Sequence, residues 1–169
     1  MRWMSAWVLG AVISGCGVIQ FDVEEALPEQ RVSGSPLGGV LPSFVPTPFK
    51  LEVDIKAEAE KRGTGPATKA FLKTLTLSAT PKSNPSGNFN FLDEVHIFIA
   101  PTSGNLPKVE IARLAPVPKS VTVLNFELVP DVDLLPYMNT GAELTANATG
   151  RQPPTDVTFD GKVVVNVKL

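Results

Sequence analysis

The sequence predicts an all-β protein, an antiparallel β-sandwich of about seven to nine strands. Two observations lead to this prediction. Apolar residues recur at every second position in several segments, which is the pattern of strands with one buried and one solvated face. The 169 residues also include 16 prolines and 13 glycines, so turns are frequent and long helices have little room.

The first strands follow closely on an apolar N-terminal run. Alternation of Ile19, Phe21 and Val23 predicts that ordered structure begins there. A second strand is expected from residue 50 to residue 56, where Leu51, Val53 and Ile55 alternate with charged residues. The charged run at 56–62, stopped by Gly63, predicts one or two helical turns.

The middle of the chain continues with the same two-residue period. Short turn-rich segments separate these strands, and together they suggest an immunoglobulin-like (Ig-like) sandwich. The apolar positions that predict these strands are Leu75, Leu77 and Ala79; Phe89, Phe91, Val95, Ile97 and Ile99; Val109 and Ile111; and Ala142, Leu144, Ala146 and Ala148.

Two later segments carry more specific predictions. Between Val121 and Leu128 the apolar positions change parity, which we interpret as a bulge near Leu124. The C-terminal segment is the clearest strand, and Gly161 within it marks a bulge or a close approach of neighbouring groups. Its inward residues are expected to be Val157, Phe159, Val163, Val165, Val167 and Leu169.

Residues 31–48 are rich in proline and glycine but are not polar, as a free linker would be. They include Val32, Leu37, Val40 and Leu41. We therefore expect a loop packed across the domain.

The N-terminus has the organisation of an export signal. Arg2 gives a positive start, residues 3–13 are mostly apolar, and Ile13-Ser14-Gly15-Cys16 ends the run. The run is too short to span a bilayer, which takes about 20 apolar residues. These features resemble the lipobox signal peptide of bacterial lipoproteins, a short helical segment. The resemblance implies cleavage between Gly15 and Cys16, a diacylglycerol on the Cys16 sulfur and an acyl chain on its new amino group.

This resemblance predicts both location and domain organisation. Residues 1–15 would be the signal peptide, and residues 16–169 a single sandwich domain fixed to a membrane by two or more acyl chains. The protein would lie in the bacterial cell envelope. Gly17 follows the cysteine, in place of the aspartate that retains some lipoproteins in the inner membrane, so the outer membrane is favoured.

Charge and cysteine content exclude some functions. The mature region has 14 basic and 17 acidic residues with no basic patch, so nucleic acid is not an expected partner. Cys16 is the only cysteine, and no disulfide within the chain is possible.

Catalytic signatures are sparse. His96 is the only histidine, and residues two apart on a strand point the same way, so Glu94 and His96 could share a metal. Two ligands are fewer than a zinc site usually takes. A Ser-His-Asp triad would have to use His96, and no Gly-x-Ser-x-Gly turn occurs. We therefore expect no enzyme, and an envelope hydrolase is the least favoured hypothesis.

Two binding hypotheses remain open. Asp131 and Asp133 lie in a loop between prolines, and carboxylates on loops at the end of a sandwich are ligands that calcium needs. Aspartates in turns more often bond to their own backbone. Tyr137 is the candidate aromatic for a carbohydrate ligand, although a tyrosine packed under a sheet edge with its hydroxyl on a carbonyl is the alternative.

Three segments are also similar to uncharacterised bacterial secreted β-sandwich proteins. They are Leu72 to Leu77, Phe89 to Asp93 and Val132 to Tyr137. The similarity implies a sandwich and no known activity. The sequence as a whole predicts a lipid-anchored, non-catalytic binding or assembly module with an envelope protein as partner, and no cofactor apart from its acyl chains. The alternative is a calcium- or carbohydrate-binding module.

Overall fold

A computed structural model describes residues 19–41, 48–51, 53–80 and 87–169. Within them, nine strands and two short helices occur in the following order: β1 (Gln20–Val32), β2 (Phe49–Leu51), α1 (Ile55–Lys61), β3 (Lys69–Thr80), β4 (Leu92–Pro101), β5 (Val109–Leu114), β6 (Val123–Asn125), β7 (Glu127–Leu128), α2 (Leu135–Thr140), β8 (Ala142–Gly150) and β9 (Val157–Lys168). The predictions for residues 1–18, including the signal helix, Gly15 and Cys16, lie outside this range.

The strands form two antiparallel sheets, which confirms the predicted sandwich. One sheet has the order β1-β9-β3-β6 and the other β2-β8-β4-β5-β7. Their inner faces share one hydrophobic core that includes Leu77, Ile99 and Phe159. We call the end where β1 and β3 begin and β9 ends the basal end, and the opposite end the apical end.

β9 is an interior strand of the first sheet. It pairs with β1 on one side and with β3 on the other along its whole length. Val157, Phe159, Val163, Val165 and Val167 are all buried, as their alternation predicted. The prediction for Gly161 is confirmed as a close approach, since a Cβ atom there would lie 2.7 Å from Leu77 Cδ2. The bulge itself lies in the neighbouring strand β1, between Leu27 and Gln30.

Most other predicted strands are present, and the early strand at Ile19 is confirmed by β1. The strand expected to reach residue 56 is wrong at its end: β2 stops at Leu51, and Ile55 is the first residue of α1. Asp54 is the reason, because its side chain accepts a hydrogen bond from the Ala57 N–H at 2.9 Å and caps the helix. The helical turns predicted from the charged run are therefore present, but they begin one residue early.

The parity change between Val121 and Leu128 is not a bulge. β6 pairs with β3 in the first sheet, whereas β7 pairs with β5 in the second sheet. The chain crosses between the sheets at Phe126, which is buried, as is Leu124. Leu124, Phe126 and Leu128 keep the same inward parity across this corner, whereas Val123 is 42% exposed, so the apolar pattern changes without an extra residue in the strand.

The loop at residues 31–48 is packed only in part. Val32 ends β1 and is buried, and Leu41 contacts the core. Leu37 and Val40, by contrast, are 97% and 90% exposed. The expectation of a packed loop is therefore wrong for these two residues, and residues 42–47 lie outside the described range.

Candidate functional site

The apical loop, which we define as residues 33–41, is the most unusual surface of the described chain. It connects the end of β1 to the segment before β2 and carries Leu37 and Val40 with almost their full side-chain surface in solvent. Single exposed apolar residues are common on protein surfaces. Two of them on one short, well-bonded loop form a candidate contact surface for another molecule.

Asp156 fixes the start of the apical loop. This residue precedes β9, and its Oδ1 accepts a hydrogen bond from the Gly34 N–H at 2.7 Å. Its Oδ2 accepts from the guanidinium of Arg31. The Gly34 N–H and then Arg31 lower the pKa of Asp156 below its ordinary value, because both favour the charged carboxylate. The loop is thus tied to a residue more than 120 positions away in the chain.

Further bonds tie the rest of the loop to residues 151–155. The Ser35 N–H donates to the Pro153 carbonyl at 2.8 Å, and the Gln152 N–H donates to the Gly39 carbonyl at 3.1 Å. The Gln152 side chain donates to the Ser33 carbonyl at 3.1 Å. Val40 forms an isolated β-bridge with Arg151. These contacts span the loop from its first residue to Val40, so they fix where the exposed side chains stand.

Gly34 shows how closely the two segments approach. A Cβ atom at this position would lie 2.1 Å from the backbone carbon of Thr155. Real Cβ atoms do not come so near to a backbone atom, so only glycine fits here without displacing the loop. The apical loop is accordingly built by specific backbone contacts, while its largest apolar side chains are left outside the core.

Asp133, one of the two predicted calcium ligands, has a structural role. Its Oδ1 accepts hydrogen bonds from the Ala70 N–H at 3.1 Å and from the Leu135 N–H at 3.0 Å. It therefore joins the segment before α2 to β3. Asp131 is exposed and has a positive φ of 62°. No group of three or more His, Cys, Asp or Glu residues that could hold a metal occurs among the described residues.

Tyr137, the candidate for carbohydrate stacking, is buried in α2 with 6% of its surface exposed. Its hydroxyl donates a hydrogen bond to the Pro107 carbonyl at 2.9 Å. The ring faces are therefore inaccessible to a sugar, and the prediction of an exposed aromatic is wrong. The alternative, a tyrosine packed under the sheet edge, is the arrangement that the structure shows.

His96 lies on the outer face of the second sheet, as its parity predicted. Its Nδ1 is 3.1 Å from Oε1 of Glu110, which lies on the neighbouring strand β5. Glu94 is exposed on the same strand as His96. The contact that the structure shows for His96 is thus a bond across two strands, and this pairing of residues 96 and 110 could not be read from the sequence.

Comparison with known proteins adds no further assignment. Neither a scan against protein-family models nor a search of curated proteins found a match to this chain. Over the part of the chain that the structure describes, no helix is long and apolar enough to cross a membrane.

Asp156 allows a direct test of the loop's attachment. We expect Asp156→Asn to accelerate amide hydrogen exchange at Gly34 and to lower the free energy of unfolding at neutral pH. The lowered pKa of Asp156 means that its contribution is complete above the unfolded-state value of about 3.9 and is lost as the pH falls through the lower folded-state value. The difference between variant and parent should therefore shrink below about pH 4.

Urea unfolding at several pH values and hydrogen exchange would measure both effects. Asp160→Asn, an exposed carboxylate in β9, is the matched control and should leave Gly34 exchange unchanged. Equal exchange at Gly34 in parent and Asp156→Asn would contradict the role assigned to Asp156.

Proposed function

We propose that this protein is a non-catalytic binding or assembly module of the bacterial cell envelope, anchored in the outer membrane through acyl chains on Cys16. In this proposal the apical loop contacts a protein partner. The main support for the proposal is that the proposed anchor and the apical loop would lie at opposite ends of the domain. Ile19, three residues after Cys16, lies at the basal end, and the apical loop lies at the opposite end.

The length of the sandwich sets the distance between these two ends. β9 pairs with β1 from Gln20 at the basal end to Val32 at the apical end. The 12 residues of β9 span roughly 36–40 Å at about 3.3 Å per residue. A domain anchored at Cys16 would therefore hold Leu37 and Val40 away from the membrane surface, where a partner in the envelope can reach them.

A free sheet edge is the other surface that could accept a partner, but β1 is poorly suited to that role. It is one of the two edge strands of the first sheet, and it contains Pro28 within a bulge together with the charged residues Glu24 and Arg31. Proline, bulges and charges are the features by which edge strands avoid pairing with other chains. These features favour the apical loop as the contact surface.

The contacts of the other candidate residues support the same choice. Asp133 already accepts two backbone hydrogen bonds, and the Tyr137 ring is buried. His96, on which a hydrolase would depend, bonds to Glu110 on an open sheet face. A calcium or carbohydrate module is therefore less well supported by these side chains than a protein-binding one.

The anchor is tested by Cys16→Ala. We expect this variant to lack acyl chains by mass spectrometry and, once residues 1–15 are removed, to leave the membrane fraction, because neither the apolar signal segment nor an acyl chain then holds the domain at a bilayer. Gln20→Ala, outside the lipobox, is the matched control and should stay in the membrane fraction. Retention of the unacylated variant in membranes would contradict the anchor.

The contact surface is tested by Leu37→Ser combined with Val40→Ser. A photo-crosslinking residue at position 37 of the parent should capture one defined protein in intact cells. Burying each of these side chains is worth about 1.5–3 kcal/mol, so their joint replacement should weaken the purified complex at least tenfold. Val123→Ser, which alters a residue that is 42% exposed on β6, should not change the affinity. Equal affinity of the double variant would exclude the apical loop as the interface.

A further inference from the structure

An open groove lies at the basal end, between α1 and α2. One part has a volume of about 370 Å³ and is lined by Ile55, Ala59, Ala67 and Leu135. An adjoining part of about 420 Å³ shares Ile55 and continues past apolar residues. Each volume lies within the range of sites that take small ligands. The further apolar residues of the second part are Leu51, Val53 and Met138, and both parts share Lys56 and Asn139 at the rim.

The groove follows from the way in which α1 packs. Ile55 and Ala59 are four residues apart, so they face the same side of the helix, and both are buried. Glu58 lies on the flank of this side and pairs with Lys61 at 3.6 Å and with Arg62 at 3.5 Å. The helix thus lines the groove with Ile55 and Ala59, and its exposed residues Lys56 and Glu60 stand beside them.

The groove lies next to the point where the described chain begins. The Leu169 N–H donates to the Ile19 carbonyl at 3.1 Å, and the Thr68 N–H donates to the Lys168 carbonyl at 2.8 Å. Thr68 directly follows the groove residues 64–67. Neighbouring strands are about 4.8 Å apart, so Ile19 and Thr68, on the two sides of β9, are separated by roughly 10 Å.

A second contact links the groove to β1. The guanidinium of Arg62, just after α1, lies 4.6 Å from the ring centroid of Phe21. Cys16 precedes Ile19 by three residues, which can extend to about 10 Å. An acyl chain that starts on Cys16 therefore has the reach to enter the groove, whose first part is lined mainly by apolar surface.

We propose that this groove seats one acyl chain of the protein's own lipid anchor when the protein is away from a bilayer. The inference rests on the proposed acylation of Cys16. Seating the chain removes its methylene groups from water, which is favourable. The acylated protein can then exist as a monomer without detergent, and the chain moves to the membrane when a bilayer is present.

The experiment uses the absence of any other cysteine in the chain. With Cys16 acylated, Ala67→Cys introduces the only free thiol, at the wall of the groove. We expect a maleimide to label this thiol at least about tenfold more slowly in the acylated protein than in the same variant carrying Cys16→Ala, because a covering acyl chain blocks access to the sulfur. Both proteins are measured in detergent-free buffer, the second after removal of residues 1–15.

Asn105→Cys is the matched control, since it lies in the β4–β5 connection at the same end but outside the groove. Its labelling rate should be equal in the acylated and unacylated proteins, which excludes shielding by aggregation. Equal labelling rates at position 67 in the acylated and unacylated proteins would overturn the groove proposal. If both rates were slow, something other than the acyl chain would cover the thiol. Mass spectrometry separates these outcomes from a failure of the proposed function. A mass that shows no acyl chain on Cys16 would overturn the proposed anchor itself, whatever the labelling rates.

Discussion

The register of β9 between β1 and β3 is the constraint on which the rest of the structure depends. Val163, Val165 and Val167 reach the core only in this register, because a shift by one residue would turn the opposite face of the strand inward. On the outer face, the pKa of Asp22 on β1 is lowered by a hydrogen bond from Asn166 of β9 and by Lys73 of β3. The two faces of β9 therefore specify the same pairing.

This pairing also determines where the two ends of the molecule place their residues. Val32 pairs with Val157, so the apical loop must start beside the segment that leads into β9. Asp156, directly before Val157, is then in position to bond to Gly34 and Arg31. At the other end, Gln20 pairs with Lys168, and this places Ile19 and the groove at the basal end. The anchor and the contact surface that we propose are separated because one long strand pair lies between them.

Sequence periodicity was enough to predict the sandwich, because burial of one face imposes a period of two on each strand. It was not enough where local bonds override that period. Ile55 continues the strand pattern of Leu51 and Val53, yet the Asp54 side chain caps a helix at this point. Near Leu124 the pattern predicted a bulge, whereas the chain passes from one sheet to the other. The helix cap is a local bond that competes with the strand pattern, whereas the crossing depends on partner strands in two different sheets.

The candidate site was harder to predict than the fold, because its contacts join residues that are far apart in the sequence. An apolar composition led to the expectation that Leu37 and Val40 pack inward, but the loop donates a hydrogen bond to Asp156 and accepts one from Gln152, and both residues are remote in sequence. Burial of Tyr137 likewise depends on Pro107, 30 residues earlier. Long-range backbone partners of this kind leave no periodic signal in the sequence.

The height of each end of the domain above a bilayer is the most direct test of the proposed orientation. The acylated protein, bound to vesicles that contain an acceptor lipid, would carry a fluorescent donor either at Leu37→Cys or at Asn105→Cys. We expect efficient energy transfer from position 105 and weak transfer from position 37, since the 12 residues of β9 separate the two ends by roughly 36–40 Å. Equal transfer from both positions would mean that the domain lies flat, which would contradict the separation of anchor and contact surface.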